Sequence, residues 1–157
     1  MCKQILFLLL FLVSLSLKSQ PFVDSPEGIP NKFWGFINLY DEGKNIPAIY
    51  HATGGFSEGF AAVSNGENWG YIDVHNNLVI DYQFDYAKSF HHQKAIVQKG
   101  EFYGVINRDG EFVIDPKYYD LQLFQLGNDQ YYISRDSTFF QGVVDSIGQD
   151  VLAHEYS

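Results

Sequence analysis

The side chains with the plainest chemical potential are a histidine pair and a scatter of carboxylates. His91 and His92 are adjacent. On a strand, neighbouring side chains point to opposite faces, so the pair is poorly placed to chelate one ion. Zinc would need a tetrahedral set of donors, and no strand carries ligands at alternate positions. The pair reads as part of a solvated loop.

Carboxylates recur at Asp73, Asp81, Asp85, Asp115, Asp120 and Asp145. Two facing carboxyls ~5–9 Å apart could hydrolyse a glycoside. Yet Asp73 and Asp145 each end a short apolar run just before a turn, and Asn107 holds the equivalent place between them. Aspartate and asparagine both cap turns through their own side chains, whereas an amide cannot serve as acid or base. No catalytic residue is expected, and the chain reads as non-enzymatic. Repeated acidic turns could offer oxygens to calcium, but Asn107-Arg108-Asp109-Gly110-Glu111 places an arginine in the loop and lacks EF-hand spacing. No metal and no cofactor is therefore expected. Nucleophile-elbow, zinc-protease and phosphate-cradling motifs are lacking. No residue declares itself as a binding residue.

The N-terminus limits the cellular setting. Met1-Cys2-Lys3-Gln4 precedes the apolar run Ile5 to Val13, which tapers through Ser14-Leu15-Ser16-Leu17 into Lys18-Ser19-Gln20-Pro21. A basic start, an apolar centre and a small residue before polar sequence form a secretory signal. Lys3 and Lys18 bracket fewer residues than the about 20 a membrane span needs. The expectation is a signal peptide over 1–19 cut near Ser19, and export to the periplasm or the extracellular space. The mature chain would have no membrane span. Cys2 leaves with the leader, so what remains has no cysteine and depends on packing without disulfides. The chain's net charge of −9 becomes more negative as Lys3 and Lys18 are lost. Such a surface repels nucleic acid and anionic membranes.

A repeat organises almost everything after the leader. Phe56-Ser57-Glu58-Gly59-Phe60-Ala61-Ala62-Val63 returns 34 residues later as Phe90-His91-His92-Gln93-Lys94-Ala95-Ile96-Val97. At the same offset Trp69-Gly70-Tyr71-Ile72-Asp73 becomes Tyr103-Gly104-Val105-Ile106-Asn107, and Leu78-Val79-Ile80-Asp81 becomes Phe112-Val113-Ile114-Asp115. The third copy drifts: Tyr131-Tyr132-Ile133 aligns with Ala95-Ile96-Val97 at 36, and Gly142-Val143-Val144-Asp145 with Gly104 to Asn107 at 38. The extra residues are placed around Ser134 to Thr138. An incomplete copy, Phe33-Trp34-Gly35-Phe36-Ile37-Asn38, opens the series.

Glycines at the turns and amid the aromatics disfavour helices, and the short β-branched runs favour strands. The expected fold is all-β, a tandem array of ~34-residue three-stranded β-meanders, stacked openly or curved like a propeller. The units are 31–55 (partial), 56–89, 90–123 and 124–157, after an extended lead-in over 20–30. Asn76 stands where later copies have Gly110 and Gly148, which points to a left-handed turn residue. Gly35, Gly70, Gly104 and Gly142 lie inside strands, where glycine marks a bulge or a close approach. The neighbouring unit is expected to pack over them, with Trp34, Trp69 and Tyr103 filling the space between units.

With Phe56, Glu58-Gly59, Ala61, Val63, Asn65-Gly66, Trp69-Gly70-Tyr71-Ile72-Asp73 and Val79-Ile80 in view, the chain resembles the WG-repeat family of mostly bacterial β-repeats. Unit 90–123 adds Gly110, Val113-Ile114-Asp115-Pro116 and Tyr119-Asp120. The likeness covers 31–157, although Tyr103 replaces the tryptophan in one unit and Phe140 or Gln141 does so in the last. It implies a binding or scaffold module with no shared catalytic residue. The partner expected is a protein, or alternatively an envelope glycan held on Tyr82, Tyr86 and Tyr119.

Overall fold

The computed structural model describes residues 18–21, 33–40, 42–127, 129–136 and 141–152. Most of the expected leader and lead-in therefore lies outside the described residues, as do 137–140 and 153–157. The architecture is all-β, in four small antiparallel sheets that follow one another along the chain.

The first sheet holds β1 (Lys18–Pro21), β2 (Trp34–Ile37) and β3 (Ile46–Tyr50). The second holds β4 (Ala52–Thr53), β5 (Phe60–Ser64), β6 (Trp69–Asp73) and β7 (Leu78–Phe84). The third repeats it as β8 (Tyr86–Ala87), β9 (Ala95–Lys99), β10 (Phe102–Ile106) and β11 (Phe112–Tyr118). The fourth is β12 (Asp120–Leu126), β13 (Asp129–Arg135), β14 (Gln141–Asp145) and β15 (Asp150–Leu152). In the second, third and fourth sheets a leading strand thus joins the three expected. These leading strands start at Ala52, Tyr86 and Asp120, so the 34-residue period holds in three dimensions.

Three apolar cores lie between consecutive sheets. Phe36, Ile46 and Tyr50 of the first meet Ala61, Val63 and Ile72 of the second. The other face of the second sheet, Ala62, Tyr71, Ile80 and Phe84, meets Ala87, Ala95, Val97 and Ile106 of the third. Ile96, Val105, Ile114 and Tyr118 on the third sheet's far face meet Leu121, Tyr132 and Val144 of the fourth. Both faces of the middle sheets are covered, which is why Phe60-Ala61-Ala62-Val63 and Ala95-Ile96-Val97 show no polar alternation. Among the described residues no core joins the first sheet to the fourth.

Two expectations need correction. Gly35, Gly70 and Gly104 are crowded by their own sheet and not by the neighbouring unit. A Cβ on Gly70 would stand 2.6 Å from the Ile80 carbonyl oxygen, and one on Gly104 2.6 Å from that of Ile114. Both carbonyls belong to the next strand of the same meander, where the ladder shifts register. Gly35 meets the Ile46 and Pro47 main chain in the same way. The bulge, not inter-unit packing, excludes a side chain.

The alignment of the third copy also slips by one. Tyr132 pairs with Val144 as Ala95 pairs with Ile106, so Tyr132 is displaced by 37 and Ile133, not Tyr132, matches Ile96. Leu121 still sits opposite Ser134 at the place of Ala87 opposite Val97, a displacement of 34. Most of the insertion therefore falls in the β12–β13 hairpin and not around Ser134 to Thr138. A one-residue slip exchanges faces along a strand, so this difference decides which side chains enter the core.

Candidate functional site

Turns hold most of the residues with chemical potential. Asp73 Oδ1 accepts from the amides of His75 (2.8 Å) and Asn77 (2.9 Å), and Oδ2 accepts from the Asn77 side chain. Asn107 Oδ1 accepts from the amides of Asp109 (3.0 Å) and Glu111 (2.9 Å). Asp145 Oδ1 accepts from Ile147 (3.0 Å) and Gln149 (2.8 Å). One cap recurs three times, and the carboxylate and the amide are interchangeable in it. Slight burial alone would raise the Asp73 pKa, but the bonds from Asn77 and His75 outweigh it and hold the carboxyl below its usual range. Asn76, Gly110 and Gly148 adopt positive φ of 67°, 83° and 84° in these turns, the shared left-handed shape expected of them.

Each such turn also rests on the unit before it. A Cβ on Gly110 would lie 3.1 Å from Ile80 Cγ2, and one on Gly148 3.2 Å from Ile114 Cγ1. The Tyr50 hydroxyl donates to Asn76 Oδ1 at 2.5 Å, and burial pushes that phenol up to about 12.

Other acids are similarly employed in structure. Asp85 Oδ2 accepts from the Gly100 amide at 2.6 Å, Asp81 from the Tyr82 amide at 2.8 Å, and Asp120 from the Gln122 side chain at 3.0 Å. His91 and His92 are exposed and belong to a tight hairpin closed by His91 and Lys94. Among the described residues no group of three or more His, Cys, Asp or Glu side chains is placed to hold a metal ion. Nor, among them, is any helix long and apolar enough to cross a membrane.

Trp69 is half-buried against the core shared by the second and third sheets, edge-on to Tyr86 with ring centroids 5.5 Å apart. Tyr103 packs against the core of the third and fourth sheets, and Trp34 lies opposite Tyr50. Gly142 is buried opposite Ser134. Tyr86 is exposed, while Tyr82 and Tyr119 are half-buried.

The junctions between sheets differ from one another in one respect. At the first, Phe56 meets Phe36 edge-on at 4.7 Å. At the second, Phe90 is fully buried, edge-on to Tyr71 at 4.8 Å and to Phe60 at 5.4 Å. At the third, the equivalent Phe124 is 45% exposed. The insertion lets β12 and β13 pair without a break from Asp120↔Arg135 to Leu126↔Asp129, and this straight ladder carries Phe124 onto the outer face. A cavity of about 230 Å³ remains at the third junction. Lys88, His91, Lys94 and Ile96 line it from the third sheet's side, and Leu123 and Tyr132 from the fourth. Lys88 Nζ donates to the Leu121 carbonyl (3.2 Å) and Lys94 Nζ to that of Ser146 (2.8 Å). Partial burial lowers the Lys94 pKa, against the nearby Asp145 charge.

Sequence reasoning passed over these lysines. The signal was present: Lys88 and Lys94 replace Gly54 and Phe60 of the preceding unit. It also passed over Glu58, whose carboxylate binds main-chain amides of the next unit.

The tryptophan–glycine steps Trp34-Gly35 and Trp69-Gly70 sit at the same bulge of the first, three-stranded sheet and the second, four-stranded one. A family model described as WG containing repeat matches residues 34–69, 69–101 and 103–128. The chain belongs to the WG containing repeat family. No curated protein and no solved structure matches it. The three WG matches run from β2 into β12 and take in the Trp34-Gly35, Trp69-Gly70 and Tyr103-Gly104 steps. In these WG repeats Trp69 and Tyr103 pack against a core, and Gly35, Gly70 and Gly104 sit at the bulge.

Proposed function

We propose that this WG-repeat chain is an exported, non-enzymatic protein-interaction module of the cell envelope, engaging a protein partner on the outer face of its fourth sheet. One observation carries the reading. Ile80 and Ile114 are each 3% exposed beneath the next unit's turn, while Leu152 at the equivalent place is 64% exposed. Phe124, Leu126 and Leu152 sit on the same face, opposite Tyr131, Asp129 and Val143 in the ladder. Exposed large apolar side chains grouped on one sheet face support a partner site there. The carboxylates committed to turns, and the family's character as a repeat, support a role without catalysis. The leader-like sequence before Ser19 supports export.

The test compares the tagged full chain with its Leu152→Lys variant, both produced in the source cell. N-terminal sequencing of the envelope fraction reads processing near Ser19. A protein enriched by the parent chain and lost from the variant supports the reading; equal recovery by both removes the outer face from it. Turnover of a substrate, abolished by a carboxylate substitution, would overturn the non-enzymatic assignment.

A second reading is an envelope-glycan binder. Tyr86 is 40% exposed and Tyr82 and Tyr119 are half-buried, so a motive for this reading remains. Glycan enrichment that survives Leu152→Lys and is lost with Tyr86→Ala would favour it.

A further inference from the structure

The third junction has the form of the second with its plug removed. Around Phe90 at the second junction stand Ser57, Phe60, Ala62 and Tyr71: Ser57 Oγ donates to the Phe90 carbonyl, the two rings meet it edge-on, and Ala62 shares its core. The equivalents at the third junction are His91, Lys94, Ile96 and Val105, and the first three line the cavity. Phe124, the residue that would fill it, faces outward on a regular strand. The cavity thus lies at the position that Phe90 fills one unit earlier. Its volume of about 230 Å³ exceeds the ~150 Å³ in which an apolar cavity takes up benzene.

The replacements also change its charge. Gly54 and Phe60 become Lys88 and Lys94, bringing two ammonium groups to a cleft that Ser89 and Gln122 also line, in a chain of net charge −9. Each ammonium donates one hydrogen bond to a carbonyl. An ammonium carries three donors, so both retain capacity for an anion. His91 adds a further polar group beside them. Ile96, Leu123 and Tyr132 supply apolar walls that a small, strongly hydrated anion could not use.

From this we propose that the cleft between the third and fourth sheets binds a small aromatic carboxylate, its ring in the place that Phe90 fills one unit earlier and its carboxylate on Lys88 and Lys94. The ligand class is an aryl-substituted acid, free or at the end of a short peptide. The site is distinct from the outer face of the fourth sheet, and its occupancy does not depend on a protein partner.

Titration of the isotope-labelled full chain with phenylacetate, followed by NMR, tests the site. Saturable shifts are expected for amides of Ile96, Leu123 and Tyr132, with affinity weakened about tenfold or more by Lys94→Met, the loss of one charge-assisted bond. Lys88→Met provides an independent variant should Lys94→Met not fold. Phenylacetamide and acetate should each bind at least about tenfold more weakly, since one lacks the charge and the other the ring. A peptide ending in free phenylalanine, compared with its C-terminal amide, distinguishes the peptide source from the free acid. Absence of saturation with both phenylacetate and the free-carboxylate peptide, or equal binding of phenylacetate and phenylacetamide, would overturn the proposal.

Discussion

The carboxylate of Glu58 accepts hydrogen bonds from the main-chain amides of His92, at 2.5 Å, and Gln93, at 2.8 Å, one repeat further along the chain. His92 and Gln93 both carry positive φ, 50° and 64°, an unfavourable conformation for residues with a Cβ. The acid of one turn thus holds the strained amides of the next. Glu58→Ala should lower stability by about 1 kcal/mol, a value discounted for exposure. Gln93→Gly should raise it by a similar amount by relieving the backbone. Urea midpoints at constant slope measure both.

Position decides the effect of losing a phenylalanine. Phe90→Ala empties a filled junction and should cost about 3–5 kcal/mol. Phe124→Ala removes an exposed ring at the same place in the repeat and should cost about 0.5 kcal/mol or less. Equal losses would refute the different placement of the two rings.

Gly104→Ala tests the bulge. The added methyl meets the Ile114 carbonyl at 2.6 Å, with main-chain atoms of Asp115 and Pro116 close behind. Overpacking of this kind should cost about 1–3 kcal/mol. A neutral result by thermal unfolding would show that β11 can move aside.

The turn cap predicts a difference between two substitutions at Asp73. Asp73→Asn should fold almost as well as the parent at neutral pH, because Asn107 makes the same pair of main-chain bonds. Asp73→Ala should lose about 1 kcal/mol. The folded-state pKa of Asp73 is depressed, so its contribution is complete above the ordinary aspartate range and is lost as pH falls through the lower folded value. Acid titration of stability in the parent and in Asp73→Asn, compared below about pH 4, reads that difference.

Tyrosine ionisation should follow the alkaline limb. Burial pushes Tyr132 to about 12, desolvation with the nearby Tyr82 pushes Tyr50 to about 12, and Tyr71 is raised further, mainly by burial. An unfolded tyrosine ionises near ~10, so these groups stabilise the fold fully below that pH, and the gain is lost as pH rises through their folded values. Ultraviolet titration should show delayed phenolate formation that advances on unfolding. Phenylalanine substitution at Tyr132 should remove one delayed group.

The repeat period, strand runs and turn caps were legible in the sequence because each depends on local chemistry. Asp73, Asn107 and Asp145 declared their role by exchanging carboxylate for amide, and Asn76 by exchanging with glycine. What crowds Gly70 and Gly104 was not legible, since a register shift inside one sheet and a neighbouring unit leave the same trace in the chain. The cleft at the third junction was hidden for a related reason. Aligning Tyr132 with Ile96 turned β13 over and placed the insertion after it, and only the pairing with Val144 shows that the extra residues straighten β12.

The second and third sheets present equivalent pairs of surfaces, one toward the preceding sheet and one toward the following, with Lys88 and Lys94 replacing Gly54 and Phe60 on the latter. A gene duplication spanning residues 52–85 would therefore encode a copy whose upstream and downstream neighbours already fit it. Lengthening this lineage requires no newly invented interface, whereas altering the leading strand of a single unit opens a cleft while the remaining junctions keep their packing. Array length and ligand specificity can thus be inherited, and selected, as separate traits.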